Sequence, residues 1–389
     1  MITRRTLLGG LAAGAAAASG LTLAGRALGT PAPGLRAAAG LPLHVVNNTG
    51  EYANSSVWVY IVGNDGTQQV HVTPDGELRP VALADNGPDG FTDYAIPLAG
   101  SGTTTLQLPR MSGRIYTALG GKLKFKAVED GNGKAALAYP AGWVSGDPNY
   151  DVLHDCAEFT YNAGGMYCNT TMVDMFSVPL AIKLSGAKEQ TTGTLKDGAR
   201  AKVFSDVKAA EGFDRLVVGD RRVIAPGHGL DSGLFGKDHL APAIDEAWSL
   251  YESKDLAVTT NAGTFTGRVR GGKLTCTGPG TVTFDKPSTR DVLFCDGTLA
   301  APNDGTLGPV AAILGAALNR STLTTHAAQP TTDPAAFYQQ RLTNHYARAM
   351  HAATQDGKAY GFAFDDVAGF ASYIEDGAPK ELTLTLTPF

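Results

Sequence analysis

Cysteine is scarce in this 389-residue sequence: there are four, Cys156, Cys168, Cys276 and Cys295. No Cys-x-x-Cys spacing occurs and no His pair flanks them, which argues against a zinc site. Charge is also sparse, at 18% of residues, and its balance is acidic, with a formal net charge of −5. A chain without a basic excess is a poor match for nucleic acid or an anionic membrane, whereas a neutral polymer suits it. No apolar run beyond the first residues is long enough to span a bilayer. There is no Gly-x-Ser-x-Gly elbow, so His228 in Gly227-His228-Gly229 has no nucleophile to serve and a serine hydrolase is set aside. The stretches Asp85-Asn86-Gly87-Pro88-Asp89-Gly90 and Asp130-Gly131-Asn132-Gly133 lack the full ligand set and closing Glu of an EF-hand loop. They read as hairpin turns. No metal or other cofactor is expected.

What is present begins with an export pattern. Thr3-Arg4-Arg5-Thr6-Leu7-Leu8 has the twin-arginine form, and a weakly apolar Ala/Gly/Leu run follows to about Ala24. A membrane anchor is the alternative. The run's Gly and Ala content, the absence of stop-transfer charges, and Pro31 and Pro33 argue against it. Cleavage is expected between Ala27 and Gly40. Loss of Arg4, Arg5 and Arg26 would leave 29 Lys and Arg against 37 Asp and Glu, a net charge of −8. The expected product is a soluble, extracellular monomer. In an exported chain an even number of cysteines favours disulfides, and three pairings are possible. The local pairs Cys156–Cys168 and Cys276–Cys295 are favoured, because each joins the ends of a short segment with Gly inside or nearby.

Gly is abundant, at 48 residues, and with many Thr, Val, Asn-Gly and Asp-Gly this is a β-rich composition. Strand-like runs occur at Leu43–Asn48, Val57–Val62, Val70–Thr73, Thr103–Leu108 and Leu123–Val128, with turns at Asn64-Asp65-Gly66 and Pro74-Asp75-Gly76. Short strands at this spacing predict a sandwich or barrel. From about Lys188 the text changes. Helical spacing appears at Leu195–Ala210, Pro242–Leu250, Gly308–Leu318 and Pro334–Ala353, with Asp333 as N-cap of the last. Strands are expected between them at Arg215–Val218, Arg222–Ala225, Leu256–Thr259 and Asp291–Phe294. The tail Leu382-Thr383-Leu384-Thr385-Leu386-Thr387 alternates strictly and should close a sheet begun earlier. The fold class is therefore mostly β with an α+β insertion. Residues 1–39 form the signal and processing region, 40–187 a β-sandwich or barrel domain, 188–355 a mixed α/β domain, and 356–389 strands returning to the first domain.

Glu158 and Asp174 are the chemistry-bearing pair. Each lies among amides, hydroxyls and aromatics, in Cys156-Ala157-Glu158-Phe159-Thr160-Tyr161-Asn162 and in Cys168-Asn169-Thr170-Thr171-Met172-Val173-Asp174-Met175-Phe176-Ser177-Val178-Pro179. On a strand Glu158, Thr160 and Asn162 share a face. Hydrolysis of a glycosidic bond takes two carboxyl groups, about 5 Å apart when configuration is retained and about 6.5–9.5 Å apart when it is inverted. A Glu and an Asp sixteen residues apart are common in proteins; the density of sugar-binding residue types around them is what points to a glycosidase.

The Glu158/Thr160/Asn162 motif, the Asn169–Pro179 run, Phe213-Asp214-Arg215-Leu216, Arg222–Gly227 and Tyr360–Val367 with Ser372-Tyr373-Ile374 together resemble glycoside hydrolase family 64, the laminaripentaose-producing β-1,3-glucanases. The resemblance covers nearly all of the chain after the signal, in the same order. It implies a thaumatin-like β core with a wide groove between the β domain and the α/β domain. It also implies inverting hydrolysis of β-1,3-glucan, with Glu158 as general acid and Asp174 as general base, and Thr160, Asn162 and Thr171 in contact with sugar. Where the family tends to have Trp, this chain has Tyr167, which keeps a stacking face and adds a hydroxyl. Asp365 and Asp366 are expected in the cleft by likeness to the acidic groove of thaumatin-like proteins. His154, beside Asp155, reads as a surface or strand-end residue, and Trp58, Trp143 and Trp248 as core residues or sugar platforms. The alternative to an enzyme is a non-catalytic, thaumatin-like glucan-binding protein.

Overall fold

The C-terminal strand Glu381–Leu386 shows how the sequence sets the frame. Leu382, Leu384 and Leu386 are buried while the threonines between them are half-buried, and fully burying each leucine contributes roughly 1.5–3 kcal/mol. In this computed structural model, which describes residues 40–389, the strand runs parallel to Leu41–Asn47 and antiparallel to Leu180–Ser185. Segments from the beginning, middle and end of the chain thus share one five-stranded sheet, completed by Glu189–Thr192 and Thr104–Leu108 at its edges. The twin-arginine segment and the cleavage region lie outside the described residues.

A larger sheet packs against it. Its order is Tyr373–Asp376, Gly165–Thr170, Leu153–Asn162, Met111–Leu119, Val57–Asn64, Gln69–Val72 and Leu78–Pro80, with Ile96–Pro97 also paired to Val57–Asn64. Leu43, Val45, Ile182 and Leu384 of the first sheet form one core with Val59, Ile61, Ile115 and Phe159 of the second. Two facing sheets with interdigitated inward residues make a β-sandwich. On the outer face of the larger sheet, Tyr60, Tyr116, Phe125 and Leu137 build a second, aromatic cluster.

A third core spans Met172 to Val367. It joins the sheet of Thr281–Phe284, Lys273–Thr277, Gly263–Arg270, Leu256–Thr260 and Ala328–Gln329 to the helices Ala199–Ala209, Ala241–Ser253, Leu307–Asn319 and His345–Ala353. Leu307–Asn319 is buried along almost its whole length, as its lack of a polar face requires. Among the described residues no helix is long and apolar enough to cross a membrane.

Several elements differ from expectation. Asp291–Phe294 is the end of a helix, Thr289–Phe294, rather than a strand. Ser288 and Asp291 form a reciprocal capping box, with each side chain accepting from the other's backbone N–H, and this overrides the β-like Val-Leu-Phe run. Pro334–Ala353 is not one helix. Asp333 does cap a turn, through Ala335 N at 2.9 Å, but the turn ends at Ala336 and a new helix starts at His345 behind the Asn344 cap. The three-strand run Gly263–Phe284 was not expected as strands.

The disulfides are not formed: all four cysteines are free and buried. The reason at the first pair is strand parity. Cys168 stands opposite Phe159 in the antiparallel pairing, so it faces the sandwich core, whereas Cys156 is an odd step away and faces the aromatic cluster. Two side chains on opposite faces of a sheet cannot meet. Cys276 pairs in register with Gly267, and Cys295 ends the Thr289–Phe294 helix; both sit reduced in the third core.

Candidate active site

Glu158 is placed by strand register. The hairpin turn at Ala163-Gly164 sets Glu158 opposite Asn169, and the neighbouring strand sets it opposite Arg114. Directly opposed residues project from one face, so Asn169, Glu158 and Arg114 form a row across three strands. The next row is Tyr167, Thr160 and Ser112. The turn is held close by Gly165, whose φ is +127 and where a Cβ would collide with the Asp376 carbonyl.

Arg114 organises the charges. Its Nε and Nη2 donate to Glu158 Oε1 at 3.1 and 2.9 Å, and its Nη1 lies 3.6 Å from Asp174 Oδ2. Because a guanidinium is a rigid planar fork, these contacts put the nearest oxygens of the two carboxyl groups within roughly 9 Å. Asn169 Nδ2 donates to Glu158 Oε2 at 3.2 Å. The Glu158 side chain is 9% exposed and that of Asp174 26%. Burial opposes the charge of Arg114, but Tyr116, Glu158, Cys156 and Asp174 around it keep it firmly protonated.

Asp174 arrives from a different element. It precedes the short strand Met175–Phe176, which pairs with Arg222–Ile224, and its carbonyl accepts from Ala225 N at 3.0 Å. The helix Pro226–Asp231 starts immediately after this contact. His228 is thereby carried over Asp174, with Nε2 2.8 Å from Oδ1. Burial would raise the Asp174 pKa, but the His228 hydrogen bond and the Arg114 charge outweigh it, and the group lies below the ordinary carboxylate value. Trp143 stacks on the His228 ring at 4.4 Å. Arg114, Tyr116, Trp143, Cys156, Thr171 and Asp174 line an open recess of about 310 Å³.

Of the residues singled out from sequence, Glu158, Asp174, Thr160, Asn162, Tyr167 and Thr171 fall on or beside this face. Thr160 Oγ1 donates to Ser112 at 3.0 Å, and Asn162 Oδ1 caps the hairpin turn through Gly164 N at 2.7 Å. Tyr167 is half-buried with its hydroxyl on Gly164 O. Asp365 is a correction: it is fully buried, accepts from Arg320, His351 and Gly361 N, and does not line the recess. Asp366, half-buried, leads into the turn Val367–Gly369. His154 is not a surface residue: it is 1% exposed, and burial pushes its pKa down to about 3. The residues that sequence reading missed are Arg114, Asn169 and the role of His228. Asn169 had a signal, since a two-residue turn after Asn162 makes it the partner of Glu158. Among the described residues no group of three or more His, Cys, Asp or Glu could hold a metal ion.

The chain as a whole is similar to known proteins. The family model of the glycoside hydrolase 64 β-1,3-glucanases matches residues 39–386. Two glucan endo-1,3-β-glucosidases, from Cellulosimicrobium cellulans and Arthrobacter sp. (strain YCWD3), are each 34% identical over 391 residues, covering 95% of this chain and 69% of the relative. The crystal structure of a laminaripentaose-producing β-1,3-glucanase in complex with laminaritetraose aligns with a TM-score of 0.82 and 34% identity, covering 90% of this chain and 99% of that one. A β-1,3-glucanase domain from Clostridium beijerinckii aligns with a TM-score of 0.78 and 27% identity, covering 92% and 100%.

Proposed function

The chain belongs to glycoside hydrolase family 64 and is an endo-acting β-1,3-glucan hydrolase; from that premise we propose that it cuts with inversion, using Glu158 as general acid and Asp174 as general base, and releases short oligosaccharides, laminaripentaose among them. The observation that carries this reading is the Arg114 guanidinium held between the two carboxylates, with Arg114 and Asp174 lining the open recess and Glu158 behind Arg114. The guanidinium is a rigid spacer that each carboxyl group holds from its own side, and a separation wide enough to admit water is what inversion needs. Glu158 gives its proton to the leaving glycosidic oxygen. Asp174, kept ionised by His228 and Arg114, takes a proton from the attacking water.

Thr160, Asn162, Tyr167 and Thr171 are proposed to contact the glucan. Tyr167 offers a ring face to a pyranose and a hydroxyl that the family's usual Trp does not have. The sandwich is proposed to be a thaumatin-like domain of residues 40–187 with 356–389, and residues 188–355 the second domain, the groove running between them. Support comes from the Glu381–Leu386 strand, which pairs with both Leu41–Asn47 and Leu180–Ser185. Export through the twin-arginine route, as a monomer, completes the proposal. The non-catalytic alternative is not favoured, because both carboxylates and their partners are in place and the relatives are named as glucosidases.

The test is incubation with linear β-1,3-glucan, reading the anomeric form of the first products by proton NMR. α-Anomers support inversion, and β-anomers turn one carboxylate into a nucleophile. Glu158→Gln and Asp174→Asn should each abolish turnover while the protein still folds and binds glucan. Near-native activity in either variant defeats the assignment.

A further inference from the structure

Asp174 has two oxygens and two cationic or N–H partners, and they are not shared. His228 Nε2 is at 2.8 Å from Oδ1, while Arg114 Nη1 is at 3.6 Å from Oδ2. An ionised carboxylate only accepts, so the His228 nitrogen facing it must carry the hydrogen. The imidazole is itself fixed on both sides. Trp143 stacks on one face at 4.4 Å, and Phe294 meets it edge-on at 5.5 Å. Its side chain is 16% exposed. Such a ring has one orientation, and the N–H it presents has one target.

We propose that His228 is the positioning residue for the base: it fixes Asp174 through Oδ1 and leaves Oδ2 as the oxygen that receives the proton of the attacking water. This rests on the inverting reading above. In the step it serves, the water oxygen bonds to the anomeric carbon, one water proton passes to Asp174 Oδ2, and the glycosidic oxygen departs with the proton of Glu158. The 3.6 Å separation from Arg114 is too long for a hydrogen bond. Oδ2 therefore takes no hydrogen bond from Arg114 and keeps its lone pairs for water, whereas Oδ1 already accepts from His228. Without His228, the carboxylate loses the partner that offsets its burial and is free to rotate about its terminal bond.

The charged and titratable groups around the pair are few. Arg114 and, beyond it, Glu158 face Asp174 from the sheet, with Cys156 beside them and Tyr346 behind. On the His228 side, Arg290 stacks on Phe294 and lies 3.8 Å from Asp231. Protonation of Asp174 removes the base, and the His228 hydrogen bond and the Arg114 charge hold its pKa down, so a shift of the acid limb on removal of His228 reports the pair.

The experiment compares His228→Ala, His228→Phe and His228→Gln with Asp174→Asn on linear β-1,3-glucan. Phe keeps a ring to stack on Trp143 but has no N–H, and Gln keeps an N–H. The Ala and Phe variants should lose roughly 10- to 100-fold in kcat, with KM nearly unchanged and the acid limb of kcat/KM moved to higher pH. Gln should recover part of the rate. If Ala fails to fold, Phe carries the same comparison. Wild-type kcat and pH profile in the Phe variant, or an effect confined to thermal stability, overturns the proposal. If Asp174→Asn is inactive while His228→Phe behaves as wild type, only the role of His228 falls. If Asp174→Asn is active, the base assignment falls first.

Discussion

Arg114 stands directly opposite Glu158 in the pairing of Met111–Leu119 with Leu153–Asn162, and two of its nitrogens converge on one Glu158 oxygen. The pair is nearly dry, with side chains 8% and 9% exposed. Removing one partner of a buried ion pair leaves an uncompensated charge, which costs about 3–5 kcal/mol. Arg114→Met should therefore lower the free energy of unfolding, read from denaturant titration, by that order as well as abolish turnover. Arg114→Lys keeps the charge but cannot fork onto both carboxylates. It should recover most of the stability and little of the rate. Equal recovery of both would mean that Arg114 acts only as a charge.

Asn169 should matter for rate more than for stability. Its amide is fully buried and donates to Glu158 Oε2, the oxygen that Arg114 does not hold. Asn169→Asp puts a second carboxylate against Glu158, and like charges at that distance favour the protonated form of one of them. The pH–rate profile should broaden or shift toward neutrality, with kcat reduced. An unchanged profile would show that Oε2 is not the proton-carrying oxygen.

How far these partners could be read from the sequence depends on how the chain brings them together. The Leu-Thr alternation of residues 382–387 gave a strand and its inward face directly, because period-2 burial is written residue by residue. Glu158 with Thr160 and Asn162 was legible for the same reason. Asn169 was legible in principle, through a two-residue turn. Arg114 and His228 were not: they lie 44 and 54 residues from their partners. They arrive through the register of another strand and through a helix entered after a single backbone contact. The disulfide reading failed on parity, since an even cysteine count says nothing about which face each thiol occupies.

The thiol state is directly checkable. Burial raises the thiol pKa of all four cysteines, that of Cys276 to about 11, so native protein should not react with a thiol reagent at neutral pH. Unfolding in denaturant without reductant should release four reactive thiols, and reductant should leave Tm unchanged. Fewer than four would return a disulfide to the structure.

Asp155 supplies a stability prediction. One of its oxygens, Oδ2, accepts from both Ser177 N and Val178 N at 2.6 Å. Burial raises its pKa to about 7, against the lowering by those N–H groups and Arg222. A carboxyl whose folded pKa is raised contributes stability below its unfolded value, near 3.9, that is lost as pH rises to about 7. The loss is on the order of 4 kcal/mol. Asp155→Asn offers the same acceptor without titrating. It should fold, and its stability should be flatter than wild type between pH 4 and 7. Parallel curves would show that Asp155 stays ionised in the fold.

The Asp365 cluster should behave in the opposite sense, and it separates structure from catalysis. Arg320 Nη2 and His351 Nε2 both reach the fully buried Asp365, each at 2.9 Å. Arg320 is packed against Phe337, Phe362 and Phe370. Burial opposes ionisation of both His351 and Asp365, yet their mutual attraction wins: His351 is raised and Asp365 lowered from their ordinary values. The signs then fix the window. The raised His351 stabilises fully below pH ~6.5 and loses this as pH rises through its folded pKa; the lowered Asp365 stabilises above pH ~3.9 and loses this as pH falls through its own. Both contributions coexist in mild acid. His351→Gln keeps a hydrogen-bond donor and cannot charge, so its Tm should lie below wild type in mild acid and converge with it at high pH. Asp365→Asn leaves Arg320 buried without a counter-charge and should cost about 3–5 kcal/mol at every pH above 4. The reading for both is Tm against pH, alongside kcat on glucan at a temperature where the variants remain folded. Because Asp365 does not line the recess, kcat should be preserved there; a selective loss of kcat in a fully folded Asp365→Asn would restore this residue to the cleft.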